Sequence, residues 1–380
     1  MRPRLEFELL DQISLGENIW VFAITGGPCS GKTSGLAYLE EKLTARGYKV
    51  LIVPESATKL ISGGILPWEM ATSQFQRGIL VDTLAVEQVF FEAARYYRNH
   101  GKKVIVLCDR GTKDGEAYMG KDPYARLLKS FDYSENELCD QRYHAVFHLR
   151  TAAIGAEKFF TLENNKARKE TLEEARALDE RTLEAWQRHP HPRVIDNSTD
   201  FAGKMHRLFA EISAVLGDPV PLEIEDKFLI LKIRPEDIIV PFHTAHIIQN
   251  YLVSPQKGDE YRVRARSDGE GTTYFYTVKT EIEPGVRAEK ERLVDSREYH
   301  SLLSLRDPEC VEIRKKRISF FWRDQYYEVD LFESPDPTLT LMEAERTDRN
   351  SSLQTPPFIP VIRNVTGSKE YSNKEIARKK

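Results

Sequence analysis

Cysteine is scarce, with four residues in 380, at 29, 108, 139 and 310. No C-x-x-C pair occurs among them, which excludes a dense disulfide framework and fits a reducing compartment. Net charge is only −4 although 30% of residues are charged. No global field marks the chain for nucleic acid, so no nucleic-acid partner is expected and any basic site must be local. No apolar run reaches the ~18 residues that suggest a membrane span. The start, MRPRLEFELLDQ, lacks the roughly 7–15-residue apolar stretch of a secretion signal. The expectation is a soluble cytoplasmic protein. What the chain does have is length for two domains and 41% hydrophobic residues to fill two cores.

The most informative stretch is IWVFAITGGPCSGKTSGLAYLE at 19–40, an apolar run, a glycine-rich turn and a helical pattern. Gly26, Gly27, Pro28, Cys29, Ser30, Gly31, Lys32 and Thr33 spell the P-loop pattern G-x-x-x-x-G-K-[ST]. Its glycines let backbone N–H groups turn inward around phosphates, and the following helix adds the positive end of its dipole. Lys32 supplies a cation for the β/γ-phosphates and Thr33 a ligand for Mg²⁺, with Ser34 beside it. Cys29 reads as a small residue that fits the loop.

Strand and helix patterns then alternate, which predicts a parallel sheet with its ligand at the strands' C-terminal ends. A strand at 49–53 ends in Pro54-Glu55, and 73–99 reads as one long amphipathic helix. The apolar strand 103–108 ends in Asp109-Arg110-Gly111. A carboxylate there suits a Mg²⁺ ligand or a catalytic base, so Asp109 joins Lys32 as a catalytic candidate. A strand follows at 143–149. The charged segment at 164–186 reads as a solvated helix or as a lid whose Arg168 or Arg176 meets phosphates. A last strand ends in Asp196-Asn197, Asn197 being a further nucleotide contact, and 200–216 reads as a helix. GGPCSGKT, PESAT, the DRG turn and HPHPRVIDN together resemble the P-loop kinase-like ATPase group that includes nicotinamide riboside kinase-type domains. That resemblance implies ATP or GTP as ligand and a small-molecule kinase as one activity. The guanine-reading N-K-x-D and T-K-x-D patterns are absent.

After Gly217-Asp218-Pro219 the pattern changes to runs of strands, placing the domains at 18–217 and 218–380 after an extension at 1–17. Charges now recur at every second residue: Glu223, Glu225 and Lys227; Arg262 and Arg264; Lys279; Glu289 and Glu291; Lys315 and Arg317; Asp330; Glu343 and Glu345. In strands each set faces one side. Charges outside an ordinary barrel are one reading. The other is a closed antiparallel barrel with the charges inside, which needs a ligand because unpaired buried charges cost several kcal/mol each. A polyanion bridged by divalent metal would satisfy both signs. The span 232–249 reads as an insertion with a helix, and the basic tail as a frayed end or a contact with acidic lipid.

EIEDKFL, YRVRAR, YTVK, the E-x-E and K-x-R pairs, EVDLF and VTGSKEYSN resemble the CYTH, or triphosphate tunnel metalloenzyme, family over about 221–376. The resemblance implies an eight-stranded β tunnel acting on inorganic triphosphate or a related triphosphate. Glu223, Glu225, Asp330, Glu343 and Glu345 would hold Mg²⁺ or Mn²⁺, with Glu223 and Glu225 catalytic. Lys227, Arg262, Arg264, Lys279, Lys315 and Arg317 would hold phosphates. The two-domain order resembles a eukaryotic group that includes a GTP- and phosphoinositide-binding trafficking regulator of fly photoreceptors. It implies GTP and phosphoinositide membranes as partners. The expected fold class is therefore α/β: a P-loop parallel sheet with helices on both faces, followed by an antiparallel tunnel domain.

Overall fold

The run IWVFAIT forms β1 (Ile19–Thr25), and six of its seven residues are buried. A strand apolar on both faces must be covered from both sides. The computed structural model describes residues 11–160, 171–217, 225–255, 258–268, 271–283, 286–323, 325–345 and 353–379. The chain divides into two compact units, Met1–Ala210 and Glu211–Lys380.

In the first unit β1 is joined by β2 (Lys49–Val53), β3 (Val104–Asp109), β4 (Ala145–Leu149) and β5 (Pro192–Ile195). All pair in parallel, in the order β2-β3-β1-β4-β5. The helices are α1 (Gln12–Leu15), α2 (Lys32–Ala45), α3 (Ser56–Ser62), α4 (Thr72–Asn99), α5 (Glu116–Met119), α6 (Lys121–Ser130), α7 (Leu172–Trp186) and α8 (Phe201–Leu216). One sheet face, with Val21, Ala23, Val104 and Val106, packs on Phe91 and Ala94 of α4 and Trp186 of α7. Gly35 of α2 lies against Leu208 and Met205 of α8 and Leu149 of β4, so a second helical layer is built around a glycine that permits close approach. Because β1 sits between β3 and β4, its C-terminal end opens where the strand order reverses, the position at which ligands bind in open α/β sheets.

The second unit holds β6 (Glu225–Ile230), β7 (Phe242–Leu252), β8 (Glu260–Ser267), β9 (Thr272–Glu283), β10 (Val286–Val294), β11 (Ile313–Trp322), β12 (Gln325–Ser334), β13 (Thr340–Glu345) and β14 (Val361–Asn364). Two short helices accompany them, α9 (Ser296–Leu302) and α10 (Asn373–Ala377). The strands make one antiparallel sheet in the order β10-β9-β8-β7-β11-β12-β13-β6-β14. Eight of them are the expected tunnel strands, and short β14 adds a ninth outside β6. The helix expected within 232–249 is not formed: a single turn at Pro235–Asp237 leads into β7. Ala245, Ile247 and Gln249 are buried at every second position with His246 exposed between the first two, a period that suits a strand better than a helix.

The sheet is curled. Tyr251 on β7 feels the charge of Lys227 on β6, four strands away in the order. At ~4.8 Å per strand a flat sheet would separate them by roughly 19 Å. One face carries an apolar cluster of Phe228, Ile230, Ile318, Phe320, Val329 and Met342. Their sequence neighbours Lys227, Arg317, Asp330 and Glu343 lie on the other.

Candidate functional sites

The loop between β1 and α2 is built around Lys32, which is buried. Its ammonium donates to Gly26 O at 3.1 Å, Gly27 O at 3.2 Å and Ser30 Oγ at 3.2 Å. Burial pushes it down to about 8, with Arg110 adding to the shift and Asp109 and Glu55 opposing it. Gly31 has φ 90°, and a Cβ there would lie 2.8 Å from the Phe201 ring. Cys29 also takes a positive φ, 56°. Thr33 and Ser34 are exposed and line, with Cys29, Ser30, Gly31 and Lys32, a cavity of about 570 Å³ at the start of α2.

The loop is braced from behind by a residue that no local motif singles out. Asp179 of α7 accepts from Gly27 N at 2.8 Å, Thr151 N at 3.0 Å and Arg150 Nη1 at 2.8 Å. Burial opposes its ionisation, but His148 and Arg150 outweigh that and hold its carboxyl well below the usual range. Thr151 also donates its hydroxyl to Pro28 O. Thus one face of the charged helix anchors the loop, while Glu173, Glu174, Glu180, Arg181 and Glu184 on its other face are exposed, as the solvated reading expects. Arg176 is held by Ala153 O at 2.6 Å and Glu157 at 3.2 Å and is not among the cavity's lining residues. Arg168 lies outside the described residues. Asn197 lines the cavity, yet its amide donates to Thr151 O and Ile154 O while its oxygen accepts from Lys204 at 2.7 Å. It is a brace. Lys204, buried and pushed down to about 8 by burial despite Asp179, also donates to Ser30 O at 3.0 Å.

Asp109, at the end of β3, faces the same cavity. Its Oδ1 is buried and has no hydrogen-bond partner among the described residues. Burial raises its pKa, with Lys32 pulling the other way. An orphaned carboxylate oxygen lining the same cavity as an exposed threonine hydroxyl fits Mg²⁺, a hard cation that takes oxygen ligands. Next to it Arg110 binds Glu55 at 2.5 Å and Asp114 at 2.9 Å. Burial disfavours the Glu55 carboxylate, but Arg110 and Lys32 hold it at about 2. Asp114 is further fixed by Thr25 Oγ1 at 2.7 Å and Trp186 Nε1 at 2.6 Å.

In the second unit the pairing register sets the expected charges on one face. Lys227 stands opposite Glu343 and Glu225 opposite Glu345; Arg317 is opposite Asp330, and Lys279 is opposite both Glu260 and Glu289. The side chains of Glu225, Glu289 and Glu345, and all of Glu223, lie outside the described residues. The charges were expected to need a ligand for neutrality; instead many satisfy one another across the strands. Lys227 lies 2.9 Å from Glu343, Lys315 2.5 Å from Asp330, Arg317 2.7 Å from Asp330 and 3.3 Å from Glu343, and Arg264 2.9 Å from Glu291. Glu328, which the same alternation in E-V-D could have revealed, also meets Arg317. For Glu343 burial is outweighed by Lys227, Lys315 and Arg317, which hold its carboxyl well below the usual range.

Arg264 keeps one unmet donor although it is paired with Glu291. Burial lowers the pKa of Arg264, Glu291 opposes this, and Arg317 and Arg262 lower it further. Its Nε is buried without a hydrogen bond among the described residues. The remaining face of the guanidinium lies over Phe275, 4.5 Å from the ring centre. Arg262 is also buried. Arg262, Arg264 and Arg317 thus place like charges near one another in a low-dielectric interior, with Arg317 paired to Asp330, Glu328 and Glu343 and Arg264 to Glu291.

Among the described residues no three His, Cys, Asp or Glu side chains are grouped to hold a metal. No described helix is long and apolar enough to cross a membrane.

Fold and site together define a P-loop nucleotide-binding domain joined to a charge-lined antiparallel tunnel domain. A family model described as an AAA domain matches residues 21–204. No curated protein matches the chain. Among solved structures it is similar to the inorganic triphosphatase NE1496, at 30% identity over 41% of this chain and 93% of that one, TM-score 0.29. It is also similar to PH1819 from Pyrococcus horikoshii OT3, at 17% identity over 33% of this chain and 80% of that one, TM-score 0.27. A third is HpAC1 from Hippeastrum, described by a dominant triphosphatase activity, at 17% identity over 33% and 80%, TM-score 0.26.

Proposed function

We propose that the second unit binds a triphosphate chain in its charged interior and hydrolyses its terminal phosphoanhydride. Inorganic triphosphate or a nucleoside triphosphate would be the substrate, while the first unit binds GTP or ATP at the P-loop. The observation that carries the tunnel reading is the Arg264 guanidinium, buried, repelled by Arg262 and Arg317, and incompletely hydrogen-bonded. A polyanion supplies the missing acceptors and relieves that repulsion.

Lys227 and Arg317 can exchange Glu343 for phosphate oxygens, and Lys315, Arg262, Arg264 and Lys279 extend the cationic wall along the chain. Such fixed cations orient the phosphates and stabilise charge as it develops on the leaving group. Glutamates released from those ion pairs are the residues available to a divalent cation. Glu343, with Glu225 and Glu345 facing each other in the register and Glu223 two residues before, makes an all-oxygen donor set that fits Mg²⁺ or Mn²⁺. When bound, the ion supplies Lewis acidity at the phosphoryl group. Asp330, sealed between Lys315 and Arg317, keeps those two cations aimed. In the first unit the loop amides and Lys32 hold phosphates, and Thr33 with Asp109 would hold Mg²⁺.

The test is phosphate release from tripolyphosphate by the full chain in Mg²⁺ or Mn²⁺, compared with Glu223→Ala and Arg264→Ala. Equal rates in all three proteins would remove the tunnel reading.

A further inference from the structure

The two ends of the charged face in the second unit differ in chemistry. At one end Tyr251, Ile313, Phe332 and Leu341, on the same face as the charges, pack with Val365 and Ala377 of the C-terminal segment. That segment is tied down by Val311 N donating to Ala377 O at 2.7 Å and Lys379 N donating to Glu309 O at 2.9 Å. This end is filled, so a phosphate chain held by the cations has no passage through it.

The other end carries aromatic rings. Phe321 of β11 stands directly opposite Tyr326 of β12, with ring centres 5.0 Å apart and planes at 50°. Their sequence neighbours Phe320 and Tyr327 belong to the apolar cluster on the opposite face, so the period of two turns Phe321 and Tyr326 inward with Ser319 and Glu328. Both rings are half-buried. Burial pushes the Tyr326 hydroxyl up to about 12, Glu328 adds to the shift, and Ser319, Arg266 and Arg317 oppose it, which places the ring against the charged wall. Arg266, two residues beyond Arg264 on the same face of β8, is buried and brings the cationic row up to the rings. Along β11, Phe321 lies four residues from Arg317, roughly 14 Å in a strand. That span is comparable with the distance from terminal phosphate to base in an extended nucleoside triphosphate. An inorganic chain gains nothing from two rings whose apolar area is left partly in water, whereas a planar base covers that area and stacks.

We propose that the tunnel selects a nucleoside triphosphate over inorganic triphosphate, the chain entering terminal phosphate first and the base resting on Phe321 and Tyr326. The proposal rests on the tunnel reading above and adds the outer half of the substrate. The filled end fixes the direction of entry, because a nucleoside cannot lead into it. Arg264 and Arg317 hold the inner phosphates, and Arg266 meets the phosphate nearest the ribose. Phe321 and Tyr326 are specificity determinants, and the charged residues behind them hold the part common to both kinds of triphosphate.

Phosphate release is measured in the full chain, wild type and Lys32→Met, the latter to remove turnover at the P-loop. ATP, GTP, CTP and UTP are compared with tripolyphosphate and with a base-free deoxyribose 5′-triphosphate in Mg²⁺ or Mn²⁺, with KM and kcat separated. In Lys32→Met at least one nucleoside triphosphate should show a KM about tenfold or more below that of both base-free compounds. In the same background Phe321→Ala and Tyr326→Ala should each cut the ratio of kcat/KM for that nucleotide to kcat/KM for tripolyphosphate by about tenfold, through KM. The ratio cancels any general damage to the β11–β12 hairpin. Phe321→Leu, which keeps apolar bulk without the ring, gives the same reading where alanine unfolds the domain. Equal KM for nucleotides and base-free compounds overturns the ring site and leaves the tunnel reading intact, as does a ratio unmoved by the ring variants. Failure to hydrolyse any triphosphate removes both readings.

Discussion

Arg317 grips Asp330 with two prongs, Nε 2.7 Å from Oδ1 and Nη2 2.7 Å from Oδ2, and Lys315 closes on Oδ2 at 2.5 Å. Asp330 has no exposed surface. Removing this carboxylate leaves two buried cations without their main counter-charge, a change that typically costs ~3–5 kcal/mol. Asp330→Ala should therefore lower the unfolding free energy of the second unit by that amount, read as a lower denaturant midpoint, and adding Lys315→Met should return part of it. Equilibrium unfolding in urea checks this. A loss under about 1 kcal/mol would mean that water reaches the cluster and screens it.

Glu343 is the carboxylate that must trade partners for the tunnel to work, since Lys227 and Arg317 hold it while no ligand is bound. Glu343→Gln should reduce tripolyphosphate hydrolysis by on the order of a hundredfold, with tripolyphosphate binding retained because the cations remain. Chelating the divalent ion should reproduce that split, abolishing turnover and leaving binding measurable by calorimetry. Loss of binding along with turnover would show that the glutamate organises the cationic wall.

How much of this could be read from the sequence depended on whether the signal was local. The P-loop was legible because eight adjacent residues encode one backbone shape. The tunnel face was legible because period-two alternation survives folding, and the register sets Lys227 and Glu343 on one face as that alternation required. Asp179 was not legible: it lies 152 residues from Gly27, on a helix whose charge pattern looks like a solvated surface. The place of Asn197 after a strand suggests a nucleotide contact, whereas its amide is taken up by two backbone carbonyls and Lys204. Mutual neutralisation in the tunnel was also hidden, since alternation says which face a charge takes and not which partner it meets.

Nucleotide affinity should fall with pH from the neutral-alkaline range upward. Burial, helped by Arg110, brings the Lys32 ammonium from 10.5 down to about 8, and a bound triphosphate would raise it again. Below pH 8 the cation is present in the free protein and affinity is flat. Above it binding must take up a proton, so the dissociation constant rises by up to ~tenfold per pH unit until the complex itself deprotonates. The stability effect has the opposite sign. With a folded pKa below the unfolded one, Lys32 contributes increasing stability as pH rises from about 8 towards 10.5. Titrating a fluorescent nucleotide between pH 7 and 10 against Lys32→Met tests the first part, and a flat wild-type profile contradicts it.

Gly27 is the position at which the smallest change should have a large effect. A Cβ there would lie 2.7 Å from Asp179 Oδ1 and 2.8 Å from Asp179 Cβ. Asp179 cannot easily give way, because Gly27 N, Thr151 N, Arg150 and His148 all converge on its carboxylate. Gly27→Ala must therefore displace the loop, turning amides away from the phosphates and releasing Lys32 from the Gly27 carbonyl. The expected result is a loss of nucleotide affinity of roughly a hundredfold, about 2.7 kcal/mol, with the sheet intact by circular dichroism. Asp179→Gly removes the obstructing Cβ and carboxylate together, so the Gly27→Ala, Asp179→Gly double variant should bind no worse than Asp179→Gly alone. If the two losses add instead, the glycine serves something other than the close approach of α7.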